Sequence, residues 1–502
     1  MRPYEDVLYD DYPFPLAHPH RLRAVGTLFG LTPPDGAARV LDLGCGLGGH
    51  IIASAAADPD GEYLGLDLSQ AQVAAGQATI DAVGLDNVRL QVADLADLPS
   101  DLGRFDVIIC HGVYSWVPEA ARQGIWAACR DHLAPGGIAL VSANMNPGWL
   151  SRRTIRHTLL RLLPPGADLT TAERVAKARE ILEQWTAAVS HNPDASVVAL
   201  LDDLLDIQGR SDAYLLYEHL APINDAFWFD ELHGRASACG LQYICDGLMR
   251  VNFPELPESV QEYIAAEHPD PVRAEAFRDG LCGRLFRRSL WTHRGVALDR
   301  SVHWRRLQGL WLTTQLRPDP HRPGQWRTPS GNSVEPGSDL TARALAYLSE
   351  AAPAALAFDE LCDLAADGPA TTAQRARIGE SLLDLFWPNL VQIQSRYPAI
   401  ATAVPGRPVA TALARHQAAH AEGVVNLLHQ RYALKRTHRR VLQRLDGSRT
   451  AADLVPELRQ DALDGQITIQ LDDEVRTDEA AVTLAVDMVL DHLQRDGFLL
   501  AR

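Results

Sequence analysis

Three glycines alternate in the stretch VLDLGCGLGGH, residues 40–50, where Gly44, Gly46 and Gly48 follow an apolar run containing Asp42. Glycines at that spacing allow a tight turn and let the backbone come close to a bound ligand. A G-x-G repeat alone could open any nucleotide fold. Acids at regular intervals add to it. Asp67 closes a second apolar run, GEYLGLD, about 25 residues beyond Asp42. A doubly wound sheet places there a carboxylate that holds a ribose. Asp94 closes a third run, NVRLQVAD. Each acid could instead cap a turn or a helix at a strand end.

Positioning these residues requires strands that end side by side. Two further apolar runs follow, in RFDVIICHGVYSWVP and HLAPGGIALVSANMNPGW. Five strands alternating with helical stretches predict an α/β fold, a parallel sheet with crossover helices. This order resembles the class I S-adenosylmethionine-dependent methyltransferases, with their Rossmann-like core. The resemblance implies that Gly44, Gly46 and Gly48 pass under the methionine part of the donor, with Asp42 anchoring the loop or meeting the amino group. It implies that Asp67 accepts both ribose hydroxyls, with Leu68 pressing on adenine. Asp94 would then take the adenine amino proton, with Leu95 on the ring face. His111 would position backbone beside the sulfonium, or serve as a base.

Methyl transfer from a sulfonium is an in-line displacement, so the protein mainly holds donor and acceptor at near-attack distance. The loop CHGVYSWVP lies where an acceptor must enter. Tyr114 and Trp116 could wall a cation face-on, or both rings could pack in the core. Desolvation would favour the neutral amine, which matters because a lysine is almost wholly protonated at neutral pH. Asn144 could orient the acceptor or serve a turn. Glu218 and His219 could bind or deprotonate an acceptor, or sit on a helix surface. The aromatic, acidic start, Tyr4 to Phe14, could pack as an arm or close as a flap that brings Tyr12 or His18 near the methyl group.

With 502 residues the chain predicts two to four domains. Hydrophobic residues at 46% and charged ones at 22% suit a soluble globular protein. A net charge of −17 argues against nucleic-acid binding, which needs basic surface. Seven cysteines without a C-x-x-C pair suit reduced thiols in a cytoplasm and no structural metal site. The start lacks a secretory signal, and no stretch approaches the ~18 apolar residues of a membrane span.

The expected organisation is a donor-binding core over residues 1–150 and 210–252, interrupted by a helical lid over 151–209. A winged-helix-like middle (regulatory) domain follows at 253–398, and a C-terminal α+β winged-helix-like domain at 399–502. Thr170-Thr-Ala-Glu reads as a capping box. A helix is expected over Asp225 to Ala238, stopped at Gly240 before a strand, Leu241 to Asp246, and Glu255 to Arg294 reads as helical. The basic run Lys435-Arg-Thr-His-Arg-Arg could read DNA, although a solvated or intramolecular face fits an acidic chain better.

Several pieces point further: DDYPFPLAHPHRL, TLFGL, HGVYSWVP, NPGW, YLLYEHLAPIND, GLQYI and FRRSLW. Together they resemble methyltransferases with the methyltransferase regulatory domain, including rickettsial-type protein-lysine methyltransferases of outer-membrane proteins. The resemblance implies homodimers and a protein or peptide acceptor, with a lysine amine favoured. A natural-product peptide or small-molecule N- or O-methyltransferase, and a donor-binding regulator without turnover, remain alternatives. The chain departs from the pattern at Leu47, His50, Ala143, Tyr217, His219 and Trp228. The last four of these changes fall around the acceptor pocket.

Overall fold

Strand β1 (Arg39–Leu43) runs buried from Val40 to Leu43 and delivers the chain into the glycine turn. The computed structural model describes residues 12–33, 36–166, 168–192, 194–247, 256–471 and 474–501; the beginning of the expected flap, residues 4–11, lies outside them. Helix α1 (Pro19–Leu28) precedes β1. Helix α2 (Gly49–Ala57), β2 (Glu62–Asp67), α3 (Gln70–Val83), β3 (Val88–Val92), β4 (Phe105–Cys110), α4 (Glu119–His132) and β5 (Leu133–Met145) follow it. Strands β3, β2, β1, β4 and β5 lie side by side in that order and are all parallel. Their carboxyl ends therefore share one edge, as the sequence predicts.

Side chains alternate between the two faces of the sheet. Val40, Val107, Ile109, Ile138 and Leu140 pack with α1, α2 and α3. Leu41, Leu43, Ile108, Ala139 and Val141 pack with α4 on the other face.

After β5 the chain leaves the sheet. Helices α5 (Trp149–Leu162), α6 (Thr171–Ser190) and α7 (Leu201–Gly209) form a layer with its own core, which includes Ile155, Leu159, Leu182 and Leu204. The capping box at Thr170 and Glu173 is formed. A π-helical turn, Leu215–Leu220, leads back, and a two-residue strand, Ala226–Phe227, pairs with the end of β5. Helix α8 begins at Phe229, later than the expected Asp225, because residues 226–227 are committed to the sheet. Strand β6 (Leu241–Asp246) follows.

One element differs in kind from the sequence expectation. Residues 286–293 are not helical: Phe286–His293 is strand β7, inserted antiparallel between β5 and β6. The sheet thus draws on residues beyond the expected core boundary at 252. Arg287 hid this strand. It occupies a core-facing position where alternation calls for an apolar residue. Its guanidinium is 0% exposed and reaches Asp279 and Glu275 at 2.7 Å each and Asp246 at 3.5 Å.

In the middle region, strand Trp311–Thr314 is flanked by antiparallel Leu356–Ala357 and Val391–Gln394, with helices Asp339–Ala351, Phe358–Ala366 and Thr372–Phe386. The C-terminal region packs helices Ala412–His420, Arg436–Leu442, Ala451–Leu463 and Glu479–Arg495 around Leu454, Leu458, Val486 and Leu490. Two arginines of its basic run are engaged internally, while Lys435 and Arg436 lie exposed. Arg439 donates to the carbonyls of Gln417 and Glu422, and Arg440 donates to Gln466. Among the described residues no helix is long and apolar enough to cross a membrane.

Candidate active site

The glycine turn is built from left-handed residues: φ is +78° at Gly44, +58° at Gly46 and +80° at Gly48. A side chain at Gly44 would also collide, since its Cβ would stand 2.4 Å from Val113 Cγ2. Asp42 is buried at the end of β1, just before the turn. Asp67 fixes the turn from the neighbouring strand end. Its Oδ2 accepts from the Gly46 amide and its Oδ1 from the Ser69 amide, both at 2.9 Å. The capping role and the expected ribose role are compatible, because each carboxylate oxygen can accept more than one hydrogen bond. Beside it Leu68 is 50% exposed, an apolar surface suited to a purine face. Asp94 is exposed at the end of β3, and its Oδ1 accepts from the Ala96 amide. Leu95 is a correction. It is buried with Ile108, Ile125 and Trp126 in the core, so its side chain offers no exposed face of the kind Leu68 has.

These residues fit an adenosyl donor: a bare glycine turn, an exposed apolar shelf and carboxylates at three successive strand ends. Gly44, Gly46, Gly48, Asp67, Leu68 and Asp94 would hold it. The donor would supply a methyl group made electrophilic by its positive sulfur.

At the end of β4, His111 Nδ1 lies 3.0 Å from Ser142 Oγ on β5, and that oxygen also accepts from the Gly112 amide. Burial, helped by the Arg288 charge, pushes the His111 imidazole down to about 3, so it is neutral at physiological pH. A neutral ring suits a neighbour of a sulfonium. The Phe14 ring stacks on His111 at 4.4 Å, and the Phe14 amide donates to His50 Nδ1 at the head of α2. The N-terminal segment thus packs through Phe14 against the residue after β4 and the head of α2. Tyr12 lies exposed, under Arg431.

His18 is a second correction. Its Nδ1 accepts from the His20 amide and caps α1, and its ring is buried edge-on to His429 at 4.3 Å. His429 comes from the C-terminal region, and its Nε2 lies 2.9 Å from Ser54 Oγ on α2. His18 therefore joins two parts of the chain and does not serve the reacting groups. Among the described residues no group of histidines, cysteines and carboxylates is arranged to hold a metal ion.

The acceptor side also needs revision. Tyr114 is 0% exposed, accepts a hydrogen bond from Trp126 Nε1 at 2.9 Å, and packs against Phe227. It is a core residue, not a wall of the acceptor pocket. Trp116 is half-buried, and its indole N–H is buried without a partner. Asn144 lies two residues beyond Ser142 on the same face of β5. Its amide Nδ2 donates to Asn224 Oδ1 at 2.8 Å. Asn224 in turn donates to Glu218 Oε2 at 3.1 Å.

Glu218 lies in the π-helical turn, is 8% exposed and has no ion pair among the described residues. Burial raises its carboxyl to about 7, against the smaller opposing pull of Asn224 and the Arg152 and Arg156 charges. Arg152 is occupied by Asp203, Asp206 and the Tyr214 hydroxyl. His219 stacks on Trp149 at 5.9 Å, and neither ring nitrogen has a partner. Sequence reasoning named Glu218 and Asn144 separately. It missed Asn224 and Ser142, and nothing in their local spacing would have found them.

Comparisons with known proteins follow this geometry. The description "Methyltransferase domain" matches residues 40–137, "Predicted methyltransferase regulatory domain" matches 211–293, and "PKMT, C-terminal winged helix domain" matches 406–498. The uncharacterized protein RP789 of Rickettsia prowazekii is 34% identical over 303 residues, which are 60% of this chain and 54% of that protein. The uncharacterized protein RP028 of the same organism is 33% identical over 234 residues, 46% of this chain and 93% of that protein. The chain thus spans about half the length of the first relative and nearly all of the second. The structure of PKMT2 from Rickettsia typhi is similar over 98% of this chain and 100% of that one, with a TM-score of 0.86 and 25% identity. A second structure of that protein, in complex with AdoHcy, has a TM-score of 0.85 at 24% identity. The donor-site geometry and these matches lead to one assignment: the chain belongs to the class I S-adenosylmethionine-dependent methyltransferases of the rickettsial PKMT type.

Proposed function

We propose that this protein transfers a methyl group from S-adenosylmethionine to a protein or peptide amine, the side chain of a lysine. The observation that carries this reading is Glu218, a buried carboxyl without an ion pair among the described residues, linked through Asn224 to Asn144 at the end of β5. A desolvated carboxylate attracts a cationic acceptor more strongly than an exposed one, because the local dielectric is low. Burial also raises the proton affinity of Glu218 itself to about 7, so its carboxylate can take the ammonium proton and leave the nitrogen lone pair free to attack. Asn144 and Asn224 would hold the carboxylate in register with His111 and Ser142 beside the donor. The resemblance to rickettsial-type protein-lysine methyltransferases supports a protein acceptor, as do the helical layer and two further α+β regions, which offer more surface than a small metabolite needs. We further propose that the protein acts as a homodimer in the cytoplasm.

The test is incubation with isotopically labelled donor and a panel of lysine-containing peptides and proteins, read by mass spectrometry. We expect methylated lysine, with turnover strongly reduced in Glu218→Gln. Label appearing only on small molecules, or on oxygen, would overturn the amine reading. Saturable donor binding without transfer to any acceptor would favour a regulator.

A further inference from the structure

Arg288 makes no ion pair with a described residue through its guanidinium, although the Asp246 carboxylate lies near enough to favour its charge. It stands on β7 opposite Ser142 of β5, so the two side chains share a face of the sheet. Its guanidinium lies over the Phe14 ring at 4.8 Å and over the Phe286 ring at 4.8 Å. It makes no hydrogen bond or ion pair with a described residue, and its Nε is buried without a partner. Asp246 accepts from the Arg288 backbone amide, and its carboxylate pairs with Arg287 instead. Burial lowers the Arg288 charge preference against Asp246's pull. A guanidinium held between two rings, with unused donors, is a receptor for a carboxylate.

The surroundings say which end of the donor this is. Asp67 and Asp94 lie on β2 and β3, to one side of the glycine turn. Arg288 lies on the opposite side, beyond β4 and β5. The Phe14 ring beneath it stacks on His111 of β4, and the Phe14 amide meets His50 at the start of the helix that follows the glycine turn. The adenosine end is thus assigned to the β2–β3 side, and the methionine end to the His111 side.

We propose that Arg288 receives the α-carboxylate of the donor's methionine portion, clamped between Phe14 and Phe286. This rests on the donor-binding reading above. It gives the segment after β6 a direct part in holding the donor, and it makes Phe14 of the N-terminal segment one wall of the carboxylate subsite.

Calorimetry on the full chain tests it without knowledge of the acceptor. The two probes are S-adenosylhomocysteine and its decarboxylated analogue S-adenosyl-3-thiopropylamine, which keeps the amine and lacks only the carboxylate. We expect Arg288→Ala to weaken S-adenosylhomocysteine at least 30-fold and the analogue no more than twofold, and Arg288→Lys to recover part of the loss. Equal weakening of both probes would mean a structural effect and overturn the proposal. Unchanged S-adenosylhomocysteine affinity would overturn it too; a raised KM for an acidic acceptor peptide in that case would transfer Arg288 to the acceptor. Absence of binding by either probe to the unsubstituted protein would fell the donor reading itself, and this assignment with it.

Discussion

Replacing Glu218 by glutamine should make the protein more stable in alkali while removing its activity. The carboxyl is moved from its ordinary 4.5 to about 7, with burial as the principal cause. The folded chain therefore holds this proton more tightly than the unfolded chain does. Stability falls as pH rises from about 4.5 toward 7, and the full penalty is present above pH 7. At about 1.4 kcal/mol for each pH unit, ionising the buried group costs about 3 kcal/mol. Glu218 is 8% exposed, so solvent screening reduces this little. Glutamine keeps an acceptor for the Asn224 amide and cannot ionise. Chemical denaturation of the two proteins, followed by circular dichroism at pH 4 to 9, measures the difference. Distant regions contribute equally to both proteins and cancel in it. We expect nearly equal stability at pH 4 and an advantage of about 3 kcal/mol for Glu218→Gln at pH 8 and above. A difference that stays constant across this range, or an unsubstituted protein more stable at pH 8, would refute the reasoning. The predicted pattern is that of a group retained for function at a cost in stability.

Asp67→Ala removes the acceptor for the Gly46 and Ser69 amides as well as the expected ribose ligand, so S-adenosylhomocysteine affinity should vanish in calorimetry. Gly44→Ala places a Cβ 2.4 Å from Val113 at a left-handed φ, and should lose both donor binding and thermal stability. Tyr114→Phe deprives the buried Trp126 N–H of its acceptor and should cost about 1–3 kcal/mol of stability. Turnover should be unchanged; a loss of transfer at intact stability would restore Tyr114 to the acceptor pocket. Arg287→Met leaves buried carboxylates without their cation and should destabilise the protein by about 3–5 kcal/mol, seen as a lowered denaturation midpoint.

The glycine turn and the strand-end carboxylates proposed to hold the donor were legible because their requirements are local. A left-handed turn needs glycine, and a strand-end carboxylate needs an acid at a fixed interval, so Gly44 to Gly48, Asp67 and Asp94 stand out in a linear reading. Aromatic residues were ambiguous for an equally physical reason. Tyr114 and Trp116 occupy one loop and differ by two positions, yet Tyr114 is drawn beneath the loop by Trp126 of the following helix and by Phe227, more than 100 residues on. Leu95 was misplaced because its neighbour Asp94 points outward while the chain turns it into the core. His18 looked reactive in isolation; its burial depends on His429, more than 400 positions away. Strand β7 escaped notice because Arg287, satisfied by Asp279 and Glu275, broke the apolar rhythm.

The late arrival of β7 shapes how the protein must be born. Strand β5 ends at Met145, and the strand that pairs with its free edge begins at Phe286, about 140 residues later. At about 5–20 residues per second the ribosome needs roughly 7–28 s to supply it. Throughout that interval the nascent sheet presents an open hydrogen-bonding margin at Ala139 to Asn144. Helices α5 to α7 emerge before the arginine-bearing strand closes that margin.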